Sequence, residues 1–268
     1  MRTDRVKKFR EIVWAHYEQY GRTTLPWRKT TDPYKILVSE MMLQQTQVSR
    51  VADKYTSFLK KFPTARALAK APLSAVLKEW SGLGYNRRGK YLHDAAKTIV
   101  TTYRGDIKHA LAHDLPGVGP YTRAAVRVFA FNEPHTMLET NIRAVFIHHF
   151  FAGNRTVSDK ELQPALEQAV KGQDPRTWHW ALMDYGAYLK KLHENPTRRS
   201  AHYSVQTKFE GSLRQVRGAI LKILTDGPFG DLAISKMLSY DEKHIRDALH
   251  ALATDGLILS EKGSWRIA

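Results

Sequence analysis

Cysteine is absent from all 268 residues. That excludes disulfides, thiol nucleophiles, Cys-ligated zinc and any iron–sulfur cluster held by the chain's own thiolates. No apolar run approaches the length that spans a bilayer. The opening residues, Met1-Arg-Thr-Asp-Arg-Val-Lys-Lys8, lead into a mixed helical pattern rather than the apolar centre of a signal peptide. A cytoplasmic protein without membrane contact is expected. Acidic residues are also scarce: 26 Asp+Glu stand against 42 Lys+Arg, a formal net charge of +16. Such an excess points to a polyanionic partner, because Lys and Arg release counterions when they meet phosphates. The excess is local. Residues 201–268 hold 9 Lys/Arg and 8 Asp/Glu, so the partner should meet the first 200 residues.

Strand-period alternation is nearly missing before residue 200, and there is no internal repeat or low-complexity segment. Val6, Phe9, Val13 and Tyr17 share one helical face. Helical patterns follow from Pro33 to about Leu43 and over roughly 46–61, 64–70, 73–80, 87–103, 107–112, 120–131, 159–170 and 175–190, with a further helix starting near Thr140. The stretches 25–29 and 31–34 are breaker-rich and read as loop. Residues 1–200 are therefore expected to form an all-helical domain, with a linker at about 193–208. Over 209–268, three amphipathic helices and a terminal hairpin predict a small winged-helix-like C-terminal domain. Its near-balanced charge favours packing on the helical part over independent DNA binding.

Leu115-Pro-Gly-Val-Gly-Pro-Tyr-Thr122 reads as a tight hairpin between two helices. Glycines permit backbone conformations closed to other residues and let a ligand approach the main chain. Amides of Gly117, Gly119 and the following helix start can then donate to a phosphate, aided by the helix dipole. This grips a nucleic-acid backbone without reading sequence. About 75 residues upstream, Glu40 sits in an apolar and amide-rich helix, Ser39-Glu-Met-Met-Leu-Gln-Gln-Thr46. A desolvated carboxyl is suited to general-acid work near neutrality. The amides of Gln44 and Gln45 can probe base edges.

On these residues the chain resembles the helix-hairpin-helix (HhH-GPD) superfamily of DNA glycosylases, and within it the MutY-type adenine glycosylases in a short, clusterless form. The likeness covers about residues 8–190. It also rests on Leu25-Pro-Trp-Arg28, Asp32-Pro-Tyr34, Gly82-Leu-Gly-Tyr85, Asn141-Ile-Arg143 and Met183-Asp-x-Gly186. The resemblance implies an endonuclease III-like two-lobed helical fold and base excision repair. Glu40 matches the acid that protonates adenine at N7. Glu139 stands where the family has a second catalytic carboxylate, beside Asn141 and supported by Tyr121. Trp27, Arg28 and Asp184 match residues of the base pocket. Tyr85 matches a tyrosine wedged into the duplex, and Gln45 a glutamine near the opposing base. Gln44, Arg87, Arg88, Leu115, Gly117, Val118, Gly119, Tyr121 and Thr122 complete the expected DNA contacts.

Three departures stand out. The family's Leu-Asp-Gly-Asn is Leu138-Glu-Thr-Asn141 here, so the second carboxylate is one methylene longer. The cluster-binding cysteines are replaced by a basic stretch with Lys190, Lys191, Arg198 and Arg199, open to a role in phosphate contact or as a solvated linker. Where longer relatives carry a C-terminal domain that reads 8-oxoguanine, the segment from Phe209 is expected to form the winged-helix-like tail of short forms instead. Lyase members carry Lys where Tyr121 stands, and only an amine forms a Schiff base, so base removal without strand cleavage is expected. The resemblance implies no cofactor beyond a structural cation on the hairpin's backbone carbonyls. The adjacent His148 and His149 read as core or surface residues rather than metal ligands. The expected partner is double-stranded DNA with a mispaired or damaged base, met by a monomer in a bacterial, nucleoid-associated setting. Two alternatives stay open: removal of thymine or uracil opposite guanine, and a catalytically impaired DNA-binding protein of the same fold.

Overall fold

A computed structural model describes residues 3–151, 153, 155–192, 194–206 and 208–268. His193 and Thr207, within the expected linker, lie outside the described residues. In chain order the described helices are α1 (Thr3–Tyr20), α2 (Pro33–Leu43), α3 (Val48–Lys61), α4 (Ala65–Lys70), α5 (Leu73–Trp80), α6 (Arg87–Thr101), α7 (Ile107–Ala110), α8 (Pro120–Phe131), α9 (Thr140–Phe150), α10 (Asp159–Val170), α11 (Pro175–Leu192), α12 (Leu213–Leu224), α13 (Asp231–Met237) and α14 (Glu242–Thr254). Strands β1 (Ile258–Glu261) and β2 (Ser264–Ile267) pair antiparallel, with Ile258 opposite Ile267. The chain divides into two compact units: Met1–Ile36 with Pro120–Val205, and Leu37–Gly119 with Gln206–Ala268.

The first unit is held by the stripe seen in α1. Val6, Phe9 and Val13 are buried, and the last two join Phe146 of α9, Leu162 and Leu166 of α10, and Trp178 and Leu182 of α11. Phe9 meets Trp178 edge-on at 6.2 Å. Each such side chain contributes roughly 1.5–3 kcal/mol of burial. Helix α11 crosses the start of α9 so closely that a Cβ at Gly186 would lie 2.2 Å from the Asn141 carbonyl oxygen. That contact explains the glycine of the Met183-Asp-Tyr-Gly motif.

Two loop expectations are revised. Pro26–Arg28 forms a 3₁₀ turn that buries Trp27. Pro196–Arg199, expected as linker, forms another. Val157 and Ser200 bridge in parallel, and the Arg199 guanidinium donates to the carbonyls of Ile147, Phe151 and Gly153. The Ile147 carbonyl, in the last turn of α9, also accepts from the Phe151 N–H at 3.2 Å, and the carbonyls of Phe151 and Gly153 lie just beyond the helix, where acceptors lack intrahelical donors. Arg199 is thus a helix cap, and Arg198 pairs with Glu194 at the surface.

In the second unit, Phe58, Leu68, Trp80 and Leu92 are fully buried. The C-terminal helices and strand pair bury Val216, Ile220, Ile234, Leu249, Leu252 and Ile258 in a core that also takes in Leu73 and Leu77 of α5. Asp255 pairs with both Arg87 of α6 and Arg217 of α12. No helix among the described residues is long and apolar enough to cross a membrane.

Candidate active site

The hairpin is built from both ends. Leu115 and Val118 are buried and bridge each other, the Val118 N–H donating to the Leu115 carbonyl at 3.1 Å. Their side chains anchor the turn and leave only main chain for a ligand. Gly117 has φ +70, and a Cβ there would stand 2.6 Å from the Cβ of Tyr91. Backbone conformation and space both demand glycine. At Gly119 a Cβ would meet nothing within 4 Å. That opening lies directly before α8, whose first residue, Pro120, has no N–H to waste. Tyr121 is half-buried in the first turn, and the Thr122 side chain is buried. Among the described residues no group of three or more His, Cys, Asp or Glu could hold a metal ion.

Glu40 is 6% exposed in the middle of α2, with Ser39, Met41 and Met42 buried around it. Just beyond this helix the backbone turns left-handed at Gln45 (φ 53), and it does so again at Tyr85 (φ 47). A left-handed bulky residue is strained and clusters at functional positions. Arg88 holds both turns. One guanidinium nitrogen donates to the carbonyls of Met41 (2.9 Å), Met42 (3.0 Å) and Gln44; the other donates to those of Leu83 (3.2 Å) and Gly84 (3.1 Å) and to Thr46 Oγ1 (2.9 Å). The group lies 5.6 Å from the Trp80 ring and 5.4 Å from that of Tyr85. Burial pulls it down to about 10, partly offset by Tyr85.

Arg88, expected among the DNA contacts, is 8% exposed. Both terminal guanidinium nitrogens bond within the protein, five of the six acceptors being backbone carbonyls, so Arg88 positions Gln45 and Tyr85. Arg88→Ala is expected to leave several buried carbonyls unsatisfied, costing about 3 kcal/mol or more and lowering Tm by about 10 °C. Arg88→Lys should recover little, since one ammonium cannot serve both turns. Thermal unfolding checks this; a wild-type Tm for the alanine variant would show the network to be dispensable. Arg87 is half-exposed and paired to Asp255 at 2.8 Å.

In the first unit Glu139 is the N-cap of α9. One carboxylate oxygen accepts from the N–H groups of Asn141 (2.8 Å) and Ile142 (2.9 Å), and the other accepts from the Asn141 side-chain amide at 3.1 Å. Burial pushes the carboxyl up, against the two N–H donors and the charges of Lys190 and Arg143. Lys190 is half-buried, and desolvation lowers its ammonium against the pull of Glu139. It follows Gly186 by four residues on α11, hence on the same helix face. That spacing was the available signal for a residue first read as linker or phosphate contact.

Asp184, on the same helix, accepts two parallel bonds from Arg28 (2.7 and 2.8 Å) and bonds from the backbone and side chain of Arg22. Arg28 in turn lies 5.4 Å from the Trp180 ring. Arg22 is the member of this cluster that sequence reasoning missed. Burial pushes the Asp184 carboxyl up, but Arg28 and then Arg22 outweigh it and hold it below its ordinary 3.8. A depressed carboxyl stabilises the fold above its unfolded value and loses that contribution as pH falls through the folded value. The stability contributed by Asp184 is expected to decline below pH about 4. Asp184→Asn should remove that dependence and cost about 3–5 kcal/mol at neutral pH, because Arg28, with its side chain 3% exposed, loses its counter-charge. Chemical denaturation at pH 7 and pH 3 checks both. His149 is half-buried against Phe9 and bonded to the Tyr185 hydroxyl at 2.9 Å, a core role.

The sites thus fall into two sets. Glu40, Gln44, Gln45, Tyr85, Arg87, Arg88, Leu115, Gly117, Val118 and Gly119 belong to one unit; Trp27, Arg28, Tyr121, Thr122, Glu139, Asn141 and Asp184 belong to the other. A mainly helical chain with a glycine hairpin and a half-buried and a buried acid is of the endonuclease III-like fold class. A solved endonuclease III–DNA complex shares that fold with TM-score 0.56, over 74% of this chain and 98% of that one, at 16% identity. The profile of HhH-GPD superfamily base excision DNA repair proteins matches residues 38–171. The chain belongs to this superfamily.

It is 32% identical to the adenine DNA glycosylase of Mycolicibacterium smegmatis over 262 residues, 89% of each protein. The adenine DNA glycosylase of Buchnera aphidicola subsp. Baizongia pistaciae is 35% identical over 191 residues, 70% of this chain; this chain spans only 54% of that protein. The thymine/uracil-DNA glycosylase of Methanothermobacter thermautotrophicus is 33% identical over 174 residues, 63% of this chain and 78% of that one. A thermostable thymine-DNA glycosylase structure matches with TM-score 0.61 at 29% identity, over 73% of this chain and 92% of that one.

Proposed function

We propose that the chain is a monofunctional DNA glycosylase of base excision repair that removes adenine mispaired with 8-oxoguanine or guanine. The observation that carries this is the burial of Glu40 among apolar side chains of α2. A carboxyl is kept in such surroundings at a cost that proton transfer at a reacting centre justifies.

In this reading the hairpin amides hold the DNA backbone and the target base leaves the stack. Glu40 donates its proton to N7 of adenine. The C1′–N9 bond breaks with its electron pair going to the base, and positive charge develops on the sugar. The Glu139 carboxylate stabilises that cation, and water then adds to C1′, losing a proton, to leave an abasic site. Glu139 has about one lone pair left after its three acceptances, which is the one available to the cation. Tyr121 has no amine to trap the opened sugar, so the phosphodiester strand stays intact.

The test is a panel of duplexes carrying A, T or U opposite 8-oxoguanine or guanine, assayed for alkali-labile sites. Adenine release without nicking before alkali is the expected result. Release of thymine or uracil alone would favour the second reading, which the likeness to thymine/uracil-DNA glycosylase supports. Tight binding with no base released would mark a DNA-binding protein that kept only the fold.

A further inference from the structure

The C-terminal segment reaches two left-handed residues of the second unit, Gln45 and Tyr85. Gln206 donates from its side-chain amide to that of Gln45 at 3.1 Å. Arg214 of α12 donates to the Tyr85 hydroxyl at 3.0 Å and lies 5.8 Å from the same ring. Arg214 also approaches the Gln206 amide oxygen, at 3.5 Å, which closes a chain from Gln45 to Tyr85. Tyr85 is 37% exposed and stands between two hollows of about 570 and 380 Å³. Both hollows are lined by Gln45, Tyr85 and Arg214.

This set of groups has the chemistry of a base-reading site. The tyrosine ring offers a stacking face. A guanidinium fork matches the O6 and N7 acceptors of guanine. Side-chain amides carry both a donor and an acceptor, so they serve guanine and also 8-oxoguanine, whose N7 bears a hydrogen. Whenever an enzyme flips one base out of a duplex, the opposite base loses its partner and exposes its pairing groups.

We propose that Gln206 and Arg214, joined to the Gln45 and Tyr85 that the resemblance places near the opposing base and in the duplex, recognise the purine left unpaired opposite the flipped base. The C-terminal segment then determines specificity and is more than a packing element. The inference rests on the reading that the chain flips a base from duplex DNA, and it is independent of which base is cut.

The experiment measures binding, not chemistry. Fluorescence anisotropy compares duplexes that carry a stable abasic-site analogue opposite 8-oxoguanine, guanine, cytosine or thymine. The full-length wild type is expected to prefer the two purines. The Gln206→Ala/Arg214→Ala double variant should lose roughly tenfold or more of that preference. Arg214→Lys, which keeps the charge and loses the fork, should lose part of it at a wild-type Tm. The proposal is overturned if the wild type shows no purine preference, if the double variant keeps it, or if binding weakens equally on all four duplexes. Failure of base release on the lesion panel would leave this comparison readable, so the two ideas fall separately.

Discussion

Glu40→Gln is expected to lower the rate of base release by about 10²–10⁴-fold while DNA affinity stays near that of the wild type. That range is the usual worth of a positioned proton donor. The substitution is nearly isosteric, which matters because Met41 and Met42 are fully buried beside it and would resist a change of volume. Gln still forms hydrogen bonds but has no proton to give to N7. Single-turnover release from an adenine·8-oxoguanine duplex, set against a gel-shift titration, separates the two effects. A variant retaining more than about a tenth of the rate would remove Glu40 from the proton-transfer role.

Glu139→Gln is expected to lose about 10²–10³ in rate, the range seen when one electrostatic stabiliser is removed, yet to be at least as stable as the wild type at pH 7. The second half follows from the sign of the shift. Burial raises the folded carboxyl above its unfolded 4.5. Stability is therefore greatest below 4.5 and declines as pH rises through the folded value. An uncharged amide escapes that decline, and its oxygen can still accept from the N–H groups of Asn141 and Ile142. Inactivity with unchanged or raised Tm would mark Glu139 as a group held for chemistry. A fall in both would reduce it to a helix cap. Glu139→Asp keeps the charge and a good N-cap residue, and should retain activity within about tenfold.

Most helices were legible because their apolar spacing is strong: α4, α5, α8 and α10 begin and end within about a residue of where the pattern puts them, and α9 begins at Thr140 as expected. The hairpin was legible too, since Gly117 and the apolar Leu115 and Val118 leave few other readings. The exceptions were polar. Pro196–Arg199 has linker composition, but Arg199 donates to the carbonyls of Phe151 and Gly153 just beyond α9, where acceptors lack intrahelical donors. Pro26–Arg28 looked like loop, but Trp27 is buried and Arg28 has a buried partner.

The absence of cysteine by itself ruled out a thiolate-held cluster, and the positive charge confined to the first 200 residues, with the glycine hairpin, pointed to a polyanion held there. These are properties of composition and short-range spacing, which need no tertiary contacts to read. Only the tertiary structure decided what the charged side chains do. The side chains of Arg88 and Arg28, alike as basic residues in a chain of net positive charge, are both buried: one on backbone carbonyls, the other on Asp184. Arg214, in a segment of nearly balanced charge, reaches Tyr85 across 129 positions of sequence. A guanidinium's role is set by the acceptors that surround it, and those come from distant parts of the chain.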